Sequence, residues 1–235
     1  MSEQATEEQF STYMVVVAHP DDAEFSSAGT IAKLADDGKN VIIIQVTSGD
    51  KGTADPTISP EELARAREVE ELEAAKRLGV KETVFLRCTD GELVPDLILR
   101  EKIVRSIRAY RPDVIITHDP FRAYALHPDH RAVGMAAVDA VYPTARDPHY
   151  FPEHLRAGLE PHKTAEVWFF GAENPDLFVD ITDTFDKKIY ALRAHVSQVG
   201  DGDGMAERVR ERSKEVAEGQ GFELAEAFKV IKMRR

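Results

Sequence analysis

Four short apolar runs, none broken by a charge, alternate with helix-like segments over the first two thirds of the chain. They are Tyr13-Met14-Val15-Val16-Val17-Ala18, Val41-Ile42-Ile43-Ile44-Gln45-Val46, Thr83-Val84-Phe85-Leu86 and Val114-Ile115-Ile116-Thr117. A strand apolar on both faces must be covered on both faces, as a strand inside a parallel sheet is. Between the first two runs, Phe25, Ala28, Ile31, Ala32, Leu34 and Ala35 mark a helix over 24–37, which Gly38 stops. Ser59-Pro60-Glu61-Glu62 starts a second helix, with Pro60 at its first position and Glu62 three residues after Ser59; it runs to Leu78 and stops at Gly79. Leu97 to Tyr110 is a third helix, and another follows His130, carrying Val133, Ala136, Ala137, Val138 and Val141. This β-α-β-α order predicts an α/β, Rossmann-like three-layer fold, with a mostly parallel sheet and the active site at the carboxyl ends of its strands.

The last third is less regular. Val167-Trp168-Phe169-Phe170 and Leu177-Phe178-Val179 read as two more strands, and Thr182-Asp183 as the cap of a helix through Val196. Gly200-Asp201-Gly202-Asp203-Gly204 reads as a loop, since it lacks the terminal Glu of a calcium-binding loop. Lys229, Lys232, Arg234 and Arg235 read as a solvated tail. One domain over 1–235 is expected, with a polar tail (1–12), a Rossmann-like part (13–145) and a C-terminal part (146–235). The net charge of -12 argues against nucleic acid and gives no attraction to a membrane surface. No run has the length of a membrane helix, and the acidic start Met1-Ser2-Glu3 is unlike a secretory signal, so a cytoplasmic protein is expected. The only cysteine, Cys88, ends an apolar run and reads as a buried thiol.

Two of the strands end in side chains for which a core has no use. His19-Pro20-Asp21-Asp22 follows the first, and His118 and then His127-Pro128-Asp129-His130 follow the fourth. Both clusters fall at strand carboxyl ends and so converge on one crevice. A catalytic zinc site needs three protein ligands and an open position. His19 and Asp22 can face one point across a turn, and His130 is preferred to His127 as third ligand because it opens a helix that fixes its position. Asp21 is then placed to take a proton from a water whose pKa zinc lowers to about 7. His127, protonated, can support an oxyanion or protonate a leaving amine, and Asp129 can orient a neighbouring imidazole. Taken singly, an Asp-Asp pair at a helix start is more often an N-cap; the two clusters together carry the metal-hydrolase reading. Glu24 reads as a first-turn helix acid. His118 and His195 read as core histidines, with Tyr190, Leu192 and Val196 on the buried face around His195. Where a dinucleotide fold has its Gly-rich cradle, this chain has His-Pro-Asp-Asp, which excludes nucleotide binding there.

The pattern Ala18-His19-Pro20-Asp21-Asp22-x-Glu24 with His127-Pro128-Asp129-His130 resembles the PIG-L/LmbE-like zinc N-deacetylases, which include enzymes of bacillithiol and mycothiol synthesis. Arg67-x-x-Glu70 with Ala74 and Leu78-Gly79, Asp90-Gly91-x-Leu93, His195-x-Ser197-Gln198 and Ala225-Glu226-x-Phe228 extend the resemblance over about residues 13–230. It implies His19, Asp22 and His130 as zinc ligands, Asp21 as general base and His127 as oxyanion stabiliser or acid. Arg67 matches an arginine that binds sugar hydroxyls and Asp90 an acid near the same pocket, although spacing alone pairs Arg67 with Glu70 or Glu71. The loop Ser48-Gly49-Asp50-Lys51-Gly52-Thr53 resembles a rim loop. A family tyrosine is replaced by Ala125, with Tyr124 nearest. Zn2+ is the expected cofactor, though Fe2+ suits the same donors. Assembly as trimers or hexamers is also implied.

The activity this implies is metal-dependent removal of acetyl from an N-acetylglucosamine-type sugar or conjugate. The rivals are an amidase acting on another acylated amine or thiol-sugar conjugate, and a non-catalytic metal- or sugar-binding protein. An intact Asp21 beside the ligand Asp22 speaks for catalysis.

Overall fold

The structure, a computed structural model, describes residues 10–200 and 204–233. Seven strands form one sheet in the order β3-β2-β1-β4-β5-β7-β6. Their ranges are β1 (Thr12–Val17), β2 (Asn40–Thr47), β3 (Glu82–Cys88), β4 (Val114–His118), β5 (Glu166–Phe170), β6 (Leu177–Asp180) and β7 (Ala225–Lys232). β1 to β5 pair in parallel, whereas β7 runs antiparallel to both β5 and β6. The helices are α1 (Asp22–Asp36), α2 (Pro60–Leu78), α3 (Leu97–Tyr110), α4 (Pro128–Asp139), α5 (Pro152–Arg156), α6 (Phe185–Leu192), α7 (Val196–Val199) and α8 (Met205–Ala217).

The period of two along β1 explains its unbroken apolar sequence. Tyr13, Val15 and Val17 join a core with Ala28 and Ile31 of α1 and Ala74 and Leu78 of α2. Met14, Val16 and Ala18 join the opposite core with Ile103 and Ile107 of α3 and Val133 and Ala136 of α4. The three expected layers are therefore present. The second helix starts as its sequence dictates, with Ser59 and Glu62 in a reciprocal capping box, Pro60 in the first turn and Gly79 left-handed at the stop. No helix among the described residues is long and apolar enough to cross a membrane.

The C-terminal third departs from the sequence reading. The helix expected through Val196 ends at Leu192, and the chain turns to bury His195 completely, leaving Tyr190 and Val196 exposed. Lys229 and Lys232 lie in strand β7, not in a tail; Lys229 pairs with Asp176 at 2.6 Å and Lys232 sits opposite Glu166. Arg234 and Arg235, like residues 201–203 of the Gly/Asp loop, lie outside the described residues. Cys88 is half-buried, its Sγ 3.2 Å from Lys102 Nζ.

β7 is tied to the start of the fold by one buried carboxylate. Glu226 accepts from the Gly29 and Thr30 N–H groups (3.0 and 2.8 Å), from Thr30 Oγ1 (2.6 Å) and from Lys188 Nζ of α6 (2.6 Å). Lys188→Met would leave that carboxylate buried without its cation. The expected cost is about 3–5 kcal/mol of folding stability, read as a lower urea midpoint at unchanged m-value.

Candidate metal centre and active site

The crevice opens between β1 and β4, where the strand order reverses and connections leave to opposite faces of the sheet. After β1 the chain makes a tight turn: Asp22 N–H donates to His19 O (3.2 Å), and Asp22 Oδ2 accepts from the His19 N–H (2.7 Å). Asp21, at the N-cap position of α1, caps nothing with its side chain and holds a left-handed backbone, φ 99°. After β4 a loop leads to α4, whose N-cap is His127; its Nδ1 accepts from the Asp129 N–H at 3.2 Å. That bond places His130 in the first turn, facing back over β1.

Three imidazoles gather around Asp22. Asp22 Oδ1 lies 3.1 Å from His130 Nε2, and Oδ2 lies 3.4 Å from both His19 Nδ1 and His118 Nε2. His130 stacks between His118 and His127, at centroid distances of 4.2 and 4.5 Å. Among the described residues, three sets of donor atoms in the crevice lie close enough to share one cation: His19, His127 and His130; Asp22, His118 and His130; and His19, Asp90 and Asp129. His130 belongs to the first two and His19 to the first and third.

On its far side, His19 Nε2 meets two buried carboxylates, Asp90 Oδ1 at 3.1 Å and Asp129 Oδ2 at 3.3 Å. A carboxylate on the outer ring nitrogen is the usual partner of a metal-binding histidine, because it fixes the tautomer and leaves the inner nitrogen free. The donor set, imidazole nitrogens with a carboxylate oxygen, suits zinc or ferrous iron. These residues fit a divalent cation.

The charged groups of the crevice also shift one another's ionisation. Burial opposes a charge on His19, yet Asp22 and Asp90 outweigh it and push its pKa up to about 10. Burial likewise opposes a charge on Asp22, but His118, His130 and His19 hold it well below the usual carboxylate range. Asp90, despite its own burial, is brought to about 2 by His19 and the Lys51 N–H. Asp21 is pushed up to about 7 by burial and by the Asp22 charge beside it. His118 and His127 are held down, in each case first by burial.

The sequence-predicted residues thus meet in one place, some in unexpected company. Asp129 is fully buried and accepts from Gly91 N–H (2.7 Å) and Leu93 N–H (3.3 Å) as well as facing His19. Asp90 lies on His19 and on the Lys51 N–H. Arg67 pairs with neither Glu70 nor Glu71; it donates to Gly49 O, Pro20 O and Asp21 Oδ2, and Glu70 holds Ser197 instead. Tyr124 is exposed. Glu24 stands in the first helical turn as expected, but fully buried, with His195 Nε2 3.3 Å from its Oε2 and Glu71 beyond. This group was not anticipated. A signal for it existed in α2, where Arg67 and Glu71 stand in the stripe Leu63, Arg67, Glu71, Ala74, Leu78 that faces the core.

The PIG-L family model, described as GlcNAc-PI de-N-acetylase, matches residues 14–141. The chain is 40% identical over 185 residues to the diacetylchitobiose deacetylase of Thermococcus kodakarensis, covering 79% of this chain and 69% of the relative. It is 32% identical over 247 residues to a 1D-myo-inositol 2-acetamido-2-deoxy-alpha-D-glucopyranoside deacetylase of Saccharopolyspora erythraea, covering 84% and 88%. The crystal structure of the N,N'-diacetylchitobiose deacetylase from Pyrococcus horikoshii superposes with a TM-score of 0.93 at 31% identity, covering 99% of this chain and 88% of that one. The fold is the α/β architecture of these deacetylases, and the chain belongs to the PIG-L family.

A left-handed backbone at a residue with a Cβ costs about 1–2 kcal/mol. Asp21→Gly is therefore expected to raise the stability of the metal-free protein by about 1 kcal/mol in urea unfolding, while removing a carboxylate from the crevice.

Proposed function

We propose that this protein is a metal-dependent N-deacetylase acting on N-acetylglucosamine-type substrates. The observation that carries the reading is the convergence of His19, Asp22 and His130 beside a carboxylate, Asp21, that no helix cap consumes. The names of the relatives support the same substrate class.

His19, Asp22 and His130 would hold the cation, and His130 belongs to two of the donor sets where His127 belongs to one. A bound zinc ion supplies Lewis-acid polarisation of the amide carbonyl and eases deprotonation of water. Asp21 takes the proton of the attacking water. His127 supports the developing oxyanion. Because its Nδ1 accepts from Asp129, the neutral ring carries its proton on Nε2, as a donor towards the crevice. A neutral donor therefore accounts for the role better than an imidazolium. Asp90 and Asp129 orient His19. The products are acetate and a free amine.

The test is amine release from N-acetylglucosamine and N,N'-diacetylchitobiose by metal-stripped protein, with and without added zinc. Zinc-restored release is expected. Asp21→Asn should retain metal and lose about 10²–10⁴-fold in kcat, whereas His19→Ala and Asp22→Ala should lose metal itself, measured by atomic emission. Turnover at the wild-type rate by Asp21→Asn would refute Asp21 as base.

A further inference from the structure

Beyond the crevice, α8 turns a mixed face toward the rest of the fold. Met205, Arg208, Val209, Arg212, Ser213 and Val216 recur at helical spacing and line one cavity of about 560 Å³, a size usual for a small-molecule site. A helix face that turns inward is normally apolar, because a polar group without a partner is penalised there. Here three of the six are polar: Ser213 is 5% exposed, and Arg208 and Arg212 stand exposed at the mouth. Among the described residues, no side-chain hydrogen bond or ion pair occupies any of the three. Off this face the cations of α8 are spent, Arg210 facing Asp186 at 3.8 Å and Lys214 pairing with Glu211 at 2.8 Å.

An anion answers this arrangement. Like charges four residues apart on a helix repel, so Arg208 and Arg212 gain from a negative group between them. A guanidinium fork matches the paired oxygens of a carboxylate or phosphate. The chain has a net charge of -12, yet none of its described carboxylates pairs with either arginine. Glu226 is the one carboxylate among the lining residues, and Gly29, Thr30 and Lys188 already saturate it. The cavity also borders the metal crevice. Gly171 in its wall follows Phe170, whose ring lies 4.6 Å from that of His118. Phe25 lies in the same turn of α1 as Asp22, and Gln198 Nε2 donates to Gly52 O of the rim loop at 3.1 Å. A group carried on the reacting sugar is therefore the nearest source of the anion.

We propose that the cavity between α1, α8 and β7 seats an anionic substituent of the acetylated sugar, a phosphate or carboxylate, held by Arg208 and Arg212 with Ser213 Oγ donating beside them. The substrate class is then an N-acetylglucosamine derivative that bears an acidic group. This rests on the reading of the crevice as a deacetylase centre.

The experiment measures amine release by the zinc-loaded protein from three glycosides: the neutral methyl N-acetylglucosaminide, its carboxymethyl counterpart and N-acetylglucosamine 1-phosphate. Calorimetric titration with each reads binding apart from turnover. KM is expected to be about tenfold lower for at least one acidic glycoside than for the neutral one, and which acid it is identifies the anion. Arg208→Gln and Arg212→Gln should each remove most of that preference, read as the ratio of the two KM values, and added salt should shrink it. Both arginines are exposed, so the melting curves of these variants should match the wild type. Arg210→Gln, outside the cavity, should leave the ratio as it is. Equal KM values for neutral and acidic glycosides, or a preference that survives the double variant Arg208→Gln/Arg212→Gln, would overturn the proposal and leave the deacetylase reading standing. If no glycoside is turned over, that reading falls, and calorimetry decides the cavity. Binding of an acidic glycoside that Arg208→Gln and Arg212→Gln weaken upholds it; binding that they leave unchanged, or no binding, removes it.

Discussion

The parallel pairing of β1 with β4, in register from Tyr13 against Val114 to Val16 against Thr117, brings two segments far apart in the chain together at the carboxyl ends of central strands. Backbone groups at the strand ends are then completed by side chains. Thr117 Oγ1 donates to Val16 O at 2.7 Å, Thr47 Oγ1 to Ala18 O at 2.8 Å, and the Ala18 N–H meets His118 Nε2 at 3.3 Å. Because β1 is finished in this way, the chain beyond it can turn sharply without leaving buried amides unpaired. His19, Asp21 and Asp22 occupy that turn.

Around the crevice, charge is arranged in shells. Asp22 stands at the centre with imidazoles about it, and Asp90 and Asp129 back His19 from behind. Asp129 belongs to two structures at once, since it also receives the N–H groups of Gly91 and Leu93. The segment after β3 therefore reports directly on the orientation of His19, although none of its backbone lies between β1 and β4.

How much of this was legible in the sequence depended on whether a residue's partner was local. The strands of the parallel sheet announced themselves because burial on both faces forces every position to be apolar, and Ser59, Pro60 and Glu62 fixed their helix start by contacts within one turn. His19 and Asp22 were legible as a candidate site because histidine and aspartate at the end of a charge-free strand sit where desolvation penalises them unless a ligand or partner is shared. β7 was not, because Lys229 and Lys232 read as part of a solvated tail, whereas the contacts that fix the strand, Lys188 and α1 around Glu226, come from elsewhere in the chain. Glu24, Glu71 and His195 come from α1, α2 and the turn after α6, and no spacing along the chain links all three.

The approach of Arg67 to the loop after β2 has a consequence for how this scaffold can diversify. A Cβ on Gly52 would stand 2.6 Å from Arg67 Nη1, and one on Gly49, whose φ is +64°, nearer still. The loop is thus moulded onto the same guanidinium that grips the Pro20–Asp21 peptide. In many folds the loops that meet substrate can be exchanged while the catalytic scaffold stays put. Here the two are not separate modules. A change that admits a bulkier residue at Gly49 or Gly52 must first move the arginine, so altered rim shape and altered turnover would be inherited together.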